Sequence, residues 1–337
     1  MEELSPSRGK RPESRRSGFR ALGVSLVALL AVFLVAEVTA RRATASVPED
    51  WGVERIGFKV DQITTIDQVT VVFAGDSMAE VGLDPDRFTM LTGSPAYNAA
   101  LTAAPPRVWA LWTGEYVLPE LVPDIVVVGI GSFSMNDAQE IRPRLLESYL
   151  GSPERRDYVG EDVGLIQELL QESALYRHRT ALRSPEEWAG RGAPTISPSG
   201  RELATSDVAY IVTEGYERRL TQDALAGYTA GGPDLRAVES LVAGVEAAGA
   251  RPVIVVMPIV AADHIPMHPR GAADHAQFDR LVDVLEENRV TVLRPPAALF
   301  PAEVFADPIH LNRHGTERLT DWVAAALSGP EMGEGSG

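Results

Sequence analysis

The sequence predicts an α/β fold in which a parallel sheet is covered by helices on both faces. Four short Val/Ile-rich runs carry that expectation, at residues 70–74, 125–130, 253–257 and 290–293. They lack alternating polarity, which is the pattern of strands buried on both faces. Between them, residues 104–118, 234–248 and 273–288 space their apolar side chains at helical intervals. Strands alternating with helices build parallel sheets, because each crossover helix returns the chain to the same end of the sheet.

The chain begins with a basic tail, residues 1–20, carrying Arg8, Lys10, Arg11, Arg15, Arg16 and Arg20. An uncharged Leu/Val/Ala-rich run follows from Ala21 to Ala36, with only Arg41 and Arg42 close behind it. That asymmetry predicts a signal anchor over residues 21–39, an N-terminal transmembrane helix with its N-terminus cytoplasmic and the rest of the chain extracytoplasmic. The run is longer than a signal-peptide core and just short of a comfortable span. Val38-Thr39-Ala40 could serve as a small-residue cleavage site, so a cleaved signal and a secreted product form the alternative. An uncleaved anchor is preferred, since two arginines follow at once. A buried core helix would leave the flanking charges unexplained.

At 337 residues and 45% hydrophobic content, the chain suits one large domain or two modest ones. It has no cysteine, which excludes disulfides, thiolate metal ligation and a cysteine nucleophile. Beyond Arg42, 23 basic residues face 43 acidic ones, a net charge of −20. Such a surface repels nucleic acid and anionic headgroups, so no nucleic-acid partner is expected. Lysine occurs only at Lys10 and Lys59 while arginine is abundant, a composition that suggests a high-GC bacterial genome.

Residues 40–68 read as a tether and an approach to the first strand, with Trp51, Ile56 and Phe58 offering a little apolar surface. The main domain spans 69–328, and 329–337 read as a flexible tail. From about 139 to 232 the strand and helix rhythm lapses. That region holds an amphipathic stretch at 161–179, a Pro/Gly/Ser-rich loop at 184–200 and a helical stretch around 213–225. Without a buried-strand run, it reads as a helical insertion or cap on one sheet edge.

Ser77 stands in Val71-Val72-Phe73-Ala74-Gly75-Asp76-Ser77, just past the first predicted strand, and Asp307-Pro308-Ile309-His310-Leu311 lies near the opposite end. Ligands of open parallel sheets bind beyond the C-terminal ends of the strands. A helix beginning at Ser77 would add the positive potential of its first amides. Serine is a poor nucleophile unless a base takes its proton, and an imidazole oriented by a carboxylate is the usual solution. Asp307 and His310 are three residues apart, so one short loop can present both. Asp76 reads as structural, a hydrogen-bond acceptor for neighbouring loop amides. Gly-Asp-Ser alone also makes ordinary turns and helix caps; its place after a buried strand, together with the late Asp-x-x-His-Leu, is what favours catalysis.

On these two motifs the chain resembles the SGNH, or GDSL-type, hydrolase superfamily over roughly residues 69–327, with Met78 in place of the usual leucine. The resemblance implies a flavodoxin-like three-layer α/β/α sandwich in which Ser77 is the nucleophile, His310 the base and Asp307 its orienting partner. The family's oxyanion hole combines the serine amide, an amide from a second block and an asparagine side chain from a third. In the third block Asn136 follows Gly129-Ile130-Gly131-Ser132-Phe133-Ser134-Met135, further past its strand than is usual. An Asn-Asp turn that caps the following helix is the other reading of Asn136. The second block, Tyr97-Asn98-Ala99-Ala100-Leu101-Thr102-Ala103, has Ala103 where the family has glycine. A backbone N–H can still donate from alanine. Asn98 is a candidate for substrate binding.

A second cluster, Asp263, His264, His268, Asp274 and His275, follows the third predicted strand on the same sheet edge as Ser77. These residue types bind zinc, but Pro266, Pro269 and Gly271 keep the two nearest imidazoles off a common helical face. A substrate-binding or solvated loop is preferred, with His264 as the binding candidate, and no metal or cofactor is expected. His314 reads as a helix-face residue and His178 as ordinary surface.

Outside the membrane, acyl-coenzyme A is not available. SGNH-like proteins with one N-terminal anchor look like those that modify exported polysaccharides, often beside a membrane-bound O-acyltransferase. The expectation is an extracytoplasmic serine esterase or O-acyltransferase acting on acyl or acetyl esters of cell-envelope carbohydrate. The alternative is a catalytically silent module that binds glycan or scaffolds an export or acetylation complex. A secreted lipase fits less well, given the acidic surface and the lack of an obvious apolar lid.

Overall fold

The structure, a computed structural model, describes residues 14–43, 51–102, 104–138, 173–177, 196–201, 227–260 and 271–329. Five strands form one sheet: β1 (Val71–Gly75), β2 (Ala96–Asn98), β3 (Ile125–Ile130), β4 (Arg251–Val256) and β5 (Thr291–Leu293). Their order is β2-β1-β3-β4-β5 and every pairing is parallel. This is the flavodoxin-like order, whose switch point lies between β1 and β3. Four of the strands are the Val/Ile-rich runs. The fifth, β2, escapes that pattern because it is only three residues long and follows Pro95 without a valine or isoleucine.

The alternation along β1 builds two separate cores. Val72 and Ala74 face one of them with Val126, Val128 and Ile254. There they pack against helices α2 (Trp51–Ile63), α5 (Pro106–Trp112), α8 (Pro233–Ala247) and α9 (Gly271–Glu287). Val71 and Phe73 face the other core with Val127 and Val255, against α3 (Ser77–Gly82), α4 (Pro85–Thr92) and α10 (Arg313–Ser328). The result is a three-layer α/β/α sandwich. A π turn at Thr113–Val117 carries α5 into the short α6 (Leu118–Leu121).

Residues 51–63, read from sequence as part of a tether, are instead a helix of the main body. Ile56, Lys59 and Ile63 are all buried at i, i+3 and i+7, so α2 presents an inward stripe. It lies beside the edge strand, where the Tyr97 hydroxyl and the Gln62 side-chain oxygen are 3.2 Å apart. The outer side of β2 is closed by the end of the Pro/Gly/Ser-rich loop within the predicted insertion. There the Asn98 N–H donates to Ser199 O at 2.9 Å, and Gln62 Nε2 donates to Ser197 O at 2.9 Å. Gly200 makes that approach possible, since a Cβ there would stand 2.4 Å from Asn98 O and φ is +83°. Most of the region 139–232, and the tail from 330, lie outside the described residues.

The chain divides into two compact units, Met1–Glu49 with Gly164–Gly192, and the remainder. In the first, α1 (Ser14–Ala43) runs continuously, and its Val24–Ala43 portion has a mean hydropathy of 2.0, long and apolar enough to cross a membrane. Leu29, Val32, Val35 and other large apolar side chains of this portion are exposed, which excludes a buried core helix. Near its end, Glu37 accepts hydrogen bonds from Ser173 Oγ at 2.8 Å and from the Ala174 amide at 2.7 Å, at the start of the one-turn helix α7 (Ala174–Arg177).

Candidate active site

Ser77 is the first residue of α3, directly beyond β1 and at the switch point of the sheet. Asp76 is the N-cap, its Oδ1 accepting from the Met78 amide at 2.8 Å. Gly75 must be glycine. Its φ is +139°, and a Cβ would lie 2.6 Å from Gly129 O on the paired strand. The Gly-Asp-Ser triplet is therefore a close strand contact, a cap and a helix start in succession, and it leaves the Ser77 hydroxyl half-buried at the sheet edge.

Asp307 and His310 arrive on a loop closed by an antiparallel bridge between Phe305 and Leu311. Val260 N–H, just past β4, donates to Pro308 O at 3.0 Å and fixes the loop against the sheet edge. Below it, Asn312 caps α10, accepting from the Gly315 amide at 3.1 Å, while its Nδ2 donates to Glu303 O at 2.8 Å. His310 Nε2 stands 2.8 Å from Ser77 Oγ, and His310 Nδ1 stands 2.6 Å from Asp307 Oδ2. The other Asp307 oxygen accepts from the amides of Ile309 at 2.9 Å and His310 at 2.7 Å.

Burial alone would raise the Asp307 carboxyl, but the hydrogen bond and charge of His310 and the two loop amides outweigh it and hold its pKa below the usual carboxylate value. An ionised Asp307 can only accept, so His310 Nδ1 carries a proton. In the neutral ring Nε2 is then the acceptor, facing the Ser77 hydroxyl. This order of groups can remove a proton from Ser77 as its oxygen attacks an electrophile. Burial pushes the Asp76 carboxyl up, against the lowering effects of the Met78 amide, the His310 charge, the Ser134 hydroxyl and the Ala79 amide. The Ser134 contact also brings the turn after β3 against the Ser77 loop.

The candidate oxyanion residues fare differently. Asn136 is buried, and its Oδ1 accepts from the amides of Ala138 and Thr229, each at 3.2 Å. A role toward an oxyanion therefore rests on its Nδ2. Its distance past β3 is absorbed by a turn in which the Ser134 and Met135 amides both donate to Gly131 O. The neighbouring Asp137 does cap a helix, but one remote in sequence: it accepts from the Gly232 and Asp234 amides, at 2.7 and 2.9 Å, at the start of α8. Ala103 and His264, with Asp263 and His268, lie outside the described residues; Asp274 and His275 fall in the first turns of α9. His178 is likewise outside them, and His314 is exposed on α10.

Asn98, a candidate for substrate binding, is fully buried and has a different task. Its Nδ2 donates to the carbonyls of Ala79, Glu80 and Leu83 at 3.1, 3.3 and 2.9 Å, and its Oδ1 accepts from the Ala100 amide at 3.1 Å. It ties the loop after β2 to the far end of the Ser77 helix. Beside it lies a group that sequence reasoning missed: Lys59, 1% exposed, pairs with Glu80 of α3 at 2.9 Å. The signal was available, because Lys59 sits between Ile56 and Ile63 on an apolar helical stripe and is one of only two lysines.

No protein-family model and no curated protein matches the chain. Among solved structures it is similar to a Bacteroides fragilis protein assigned as an acylhydrolase, at 10% identity and a TM-score of 0.42, over 83% of this chain and 98% of that one. It is also similar to a GDSL-like lipase of Bacteroides thetaiotaomicron, at 11% identity and a TM-score of 0.42, over 82% of this chain and 98% of that one. The fold class itself rests on the chain's own sheet, whose strand order is flavodoxin-like.

Proposed function

We propose that the chain is a serine esterase of the SGNH type, with Ser77 as nucleophile, His310 as general base and Asp307 as its orienting carboxylate. The observation that carries this reading is the unbroken chain from Ser77 Oγ through His310 to Asp307: a 2.8 Å contact joins Ser77 to a histidine more than two hundred positions away, and a 2.6 Å contact joins that histidine to the aspartate three residues before it. A module with no catalytic demand has no need of that alignment.

In the mechanism, Ser77 Oγ attacks the ester carbonyl carbon while its proton passes to His310 Nε2. Asp307 stabilises the resulting imidazolium. The oxyanion is held by the Ser77 amide at the start of α3, by the amide of Ala103 and by Asn136 Nδ2. Collapse breaks the bond from acyl carbon to alkoxy oxygen, and the departing oxygen takes the proton back from His310. A water or a sugar hydroxyl then attacks the acyl-enzyme and delivers its own proton to His310; breaking the bond from acyl carbon to Ser77 Oγ releases the serine, which takes that proton back from His310.

The proposed substrate is an acyl or acetyl ester of cell-envelope carbohydrate, acted on outside the membrane. Support comes from the one helix among the described residues that is long and apolar enough to cross a membrane, with its basic N-terminal flank, and from the acidic net charge, which disfavours anionic partners. Transfer to a sugar hydroxyl, fed by a membrane-bound O-acyltransferase, is the finer form of the reading. The test is turnover of a short acetyl ester by the full chain in detergent, with and without an oligosaccharide acceptor, using Ser77→Ala as control. Turnover that requires Ser77 supports an esterase, and an acetylated acceptor supports transfer. Ser77→Ala activity equal to the parent would sink the reading.

A further inference from the structure

The polar network behind the Ser77 helix has no part in the proton path, yet it holds two pieces of the site together. Lys59 Nζ on α2 lies 2.9 Å from Glu80 Oε1 and donates to Asn98 O at 3.2 Å and to Ala100 O. Glu80 is one helical turn beyond Ser77, and its second oxygen accepts from Thr102 Oγ1. Lys59 and Glu80 are each 1% exposed. Three successive elements are thereby joined at one ammonium: the helix preceding the sheet, the Ser77 helix and the loop over residues 98–102 that leads into Ala103.

A buried ion pair is weak evidence for stability, because well-packed apolar replacements are often as stable or more so. What the pair supplies is direction. An ammonium fixes several carbonyl oxygens at once, and the Asn98 side chain, the Ala99 N–H donating to Phe73 O at 2.8 Å and the Leu101 N–H donating to Gly75 O at 2.9 Å fix the same loop from other sides. The Trp112 indole N–H adds a bond to Ala99 O at 2.9 Å.

Resting on the esterase reading, we propose that Lys59 is a positioning residue: with Glu80 and Thr102 it clamps the 98–102 loop to the Ser77 helix and so sets the geometry of the oxyanion site. The helix that follows the apolar anchor in sequence is then an integral part of the catalytic body. A neutral side chain at position 59 takes the ammonium away from the buried Glu80 carboxylate and from the carbonyls of Asn98 and Ala100.

The experiment compares full-length Lys59→Met with the double variant Lys59→Met/Glu80→Gln in detergent, reading melting temperature, amide exchange over residues 98–102, and kcat and KM for an acetyl ester. The double variant removes the buried carboxylate charge that Lys59 had balanced while keeping an acceptor for Thr102, so it recovers melting temperature. It does not recover the clamp: exchange at Ala99 and Leu101 stays fast, kcat stays down by about ten- to a hundredfold and KM moves by less than about threefold. If kcat and loop protection return together with melting temperature, Lys59 acts on stability alone and the proposal fails. Unchanged loop exchange in the double variant also overturns it, whatever the activity. A parent protein that neither turns over ester nor reacts at Ser77 would instead defeat the esterase reading, and loop exchange would then decide the clamp by itself.

Discussion

Two polar networks meet on the six-residue helix α3 and differ in almost every physical respect. At its start, Ser77, His310 and Asp307 form a half-buried line of hydrogen bonds that solvent and substrate can reach. One turn later, Glu80 belongs to a sealed ion pair with Lys59. The first can exchange protons because its groups remain accessible. The second cannot, and its value lies in holding carbonyls and helices at fixed distances. The division teaches that one short helix serves two roles, with its amide end facing the chemistry and its side-chain flank facing the scaffold.

The sharpest way to break the comparison is at the exposed network. Ser77→Ala should lower ester turnover by a factor on the order of 10^6, or to background, with melting temperature nearly unchanged. Asp307→Asn should cost about 10^4 in kcat, because the amide no longer holds His310 in the tautomer that accepts from Ser77. Steady-state kinetics on a short acetyl ester checks both.

Next in size is the strand contact that supports both networks. Gly75→Ala places a Cβ 2.6 Å from Gly129 O at a φ of +139°, which should destabilise the fold by roughly 3 kcal/mol in denaturant titration. The clamp variant Lys59→Met follows, with its smaller loss of kcat.

The smallest expected effect concerns a sealed acid that is incompletely paired. Asp234 accepts from Arg107 Nε at 2.9 Å, but its other oxygen is buried without a hydrogen-bond partner. Burial raises its pKa to about 6, with Arg107 opposing and the Asp137 charge adding to the rise. The folded state then holds a proton that the unfolded state, with a carboxyl pKa of about 3.9, has released, so stability falls as pH rises from about 4 to about 6. Asp307 acts in the other direction and in another window. Its depressed pKa contributes stability above about pH 4 that is lost on further acidification. Melting curves of Asp234→Asn should lack the decline between about pH 4 and 6 that the parent shows.

Much of this architecture was legible because it follows from local pattern. Strands buried on both faces write themselves as valine runs, as β1, β3 and β4 do, and β5 carries the same apolar signal although it is a partly buried edge strand. The pairing of Ser77 with the Asp307 to His310 loop was legible because its residue types at strand ends have few other combined uses. What escaped was set by tertiary contact. The strand β2 has no composition of its own and exists because Thr70 and Val71 amides bond Pro95 O and its backbone then pairs with β1. The helix α2 was obscured by the lysine on its apolar stripe, which reads as a polar interruption until Glu80 appears beside it. Asn98 looked like a binding residue because three of its four side-chain hydrogen bonds, those donated by Nδ2, go to carbonyls of the Ser77 helix and its C-cap fifteen to nineteen residues away in sequence.

The central claim is that Ser77 is an activated nucleophile. Its most direct test is reaction of the full chain in detergent with a fluorophosphonate, with the adduct located by mass spectrometry. The account predicts a single adduct on Ser77, formed at least about a hundredfold more slowly when His310 is changed to alanine. A folded protein that leaves Ser77 unmodified, or that labels equally fast without His310, would contradict it.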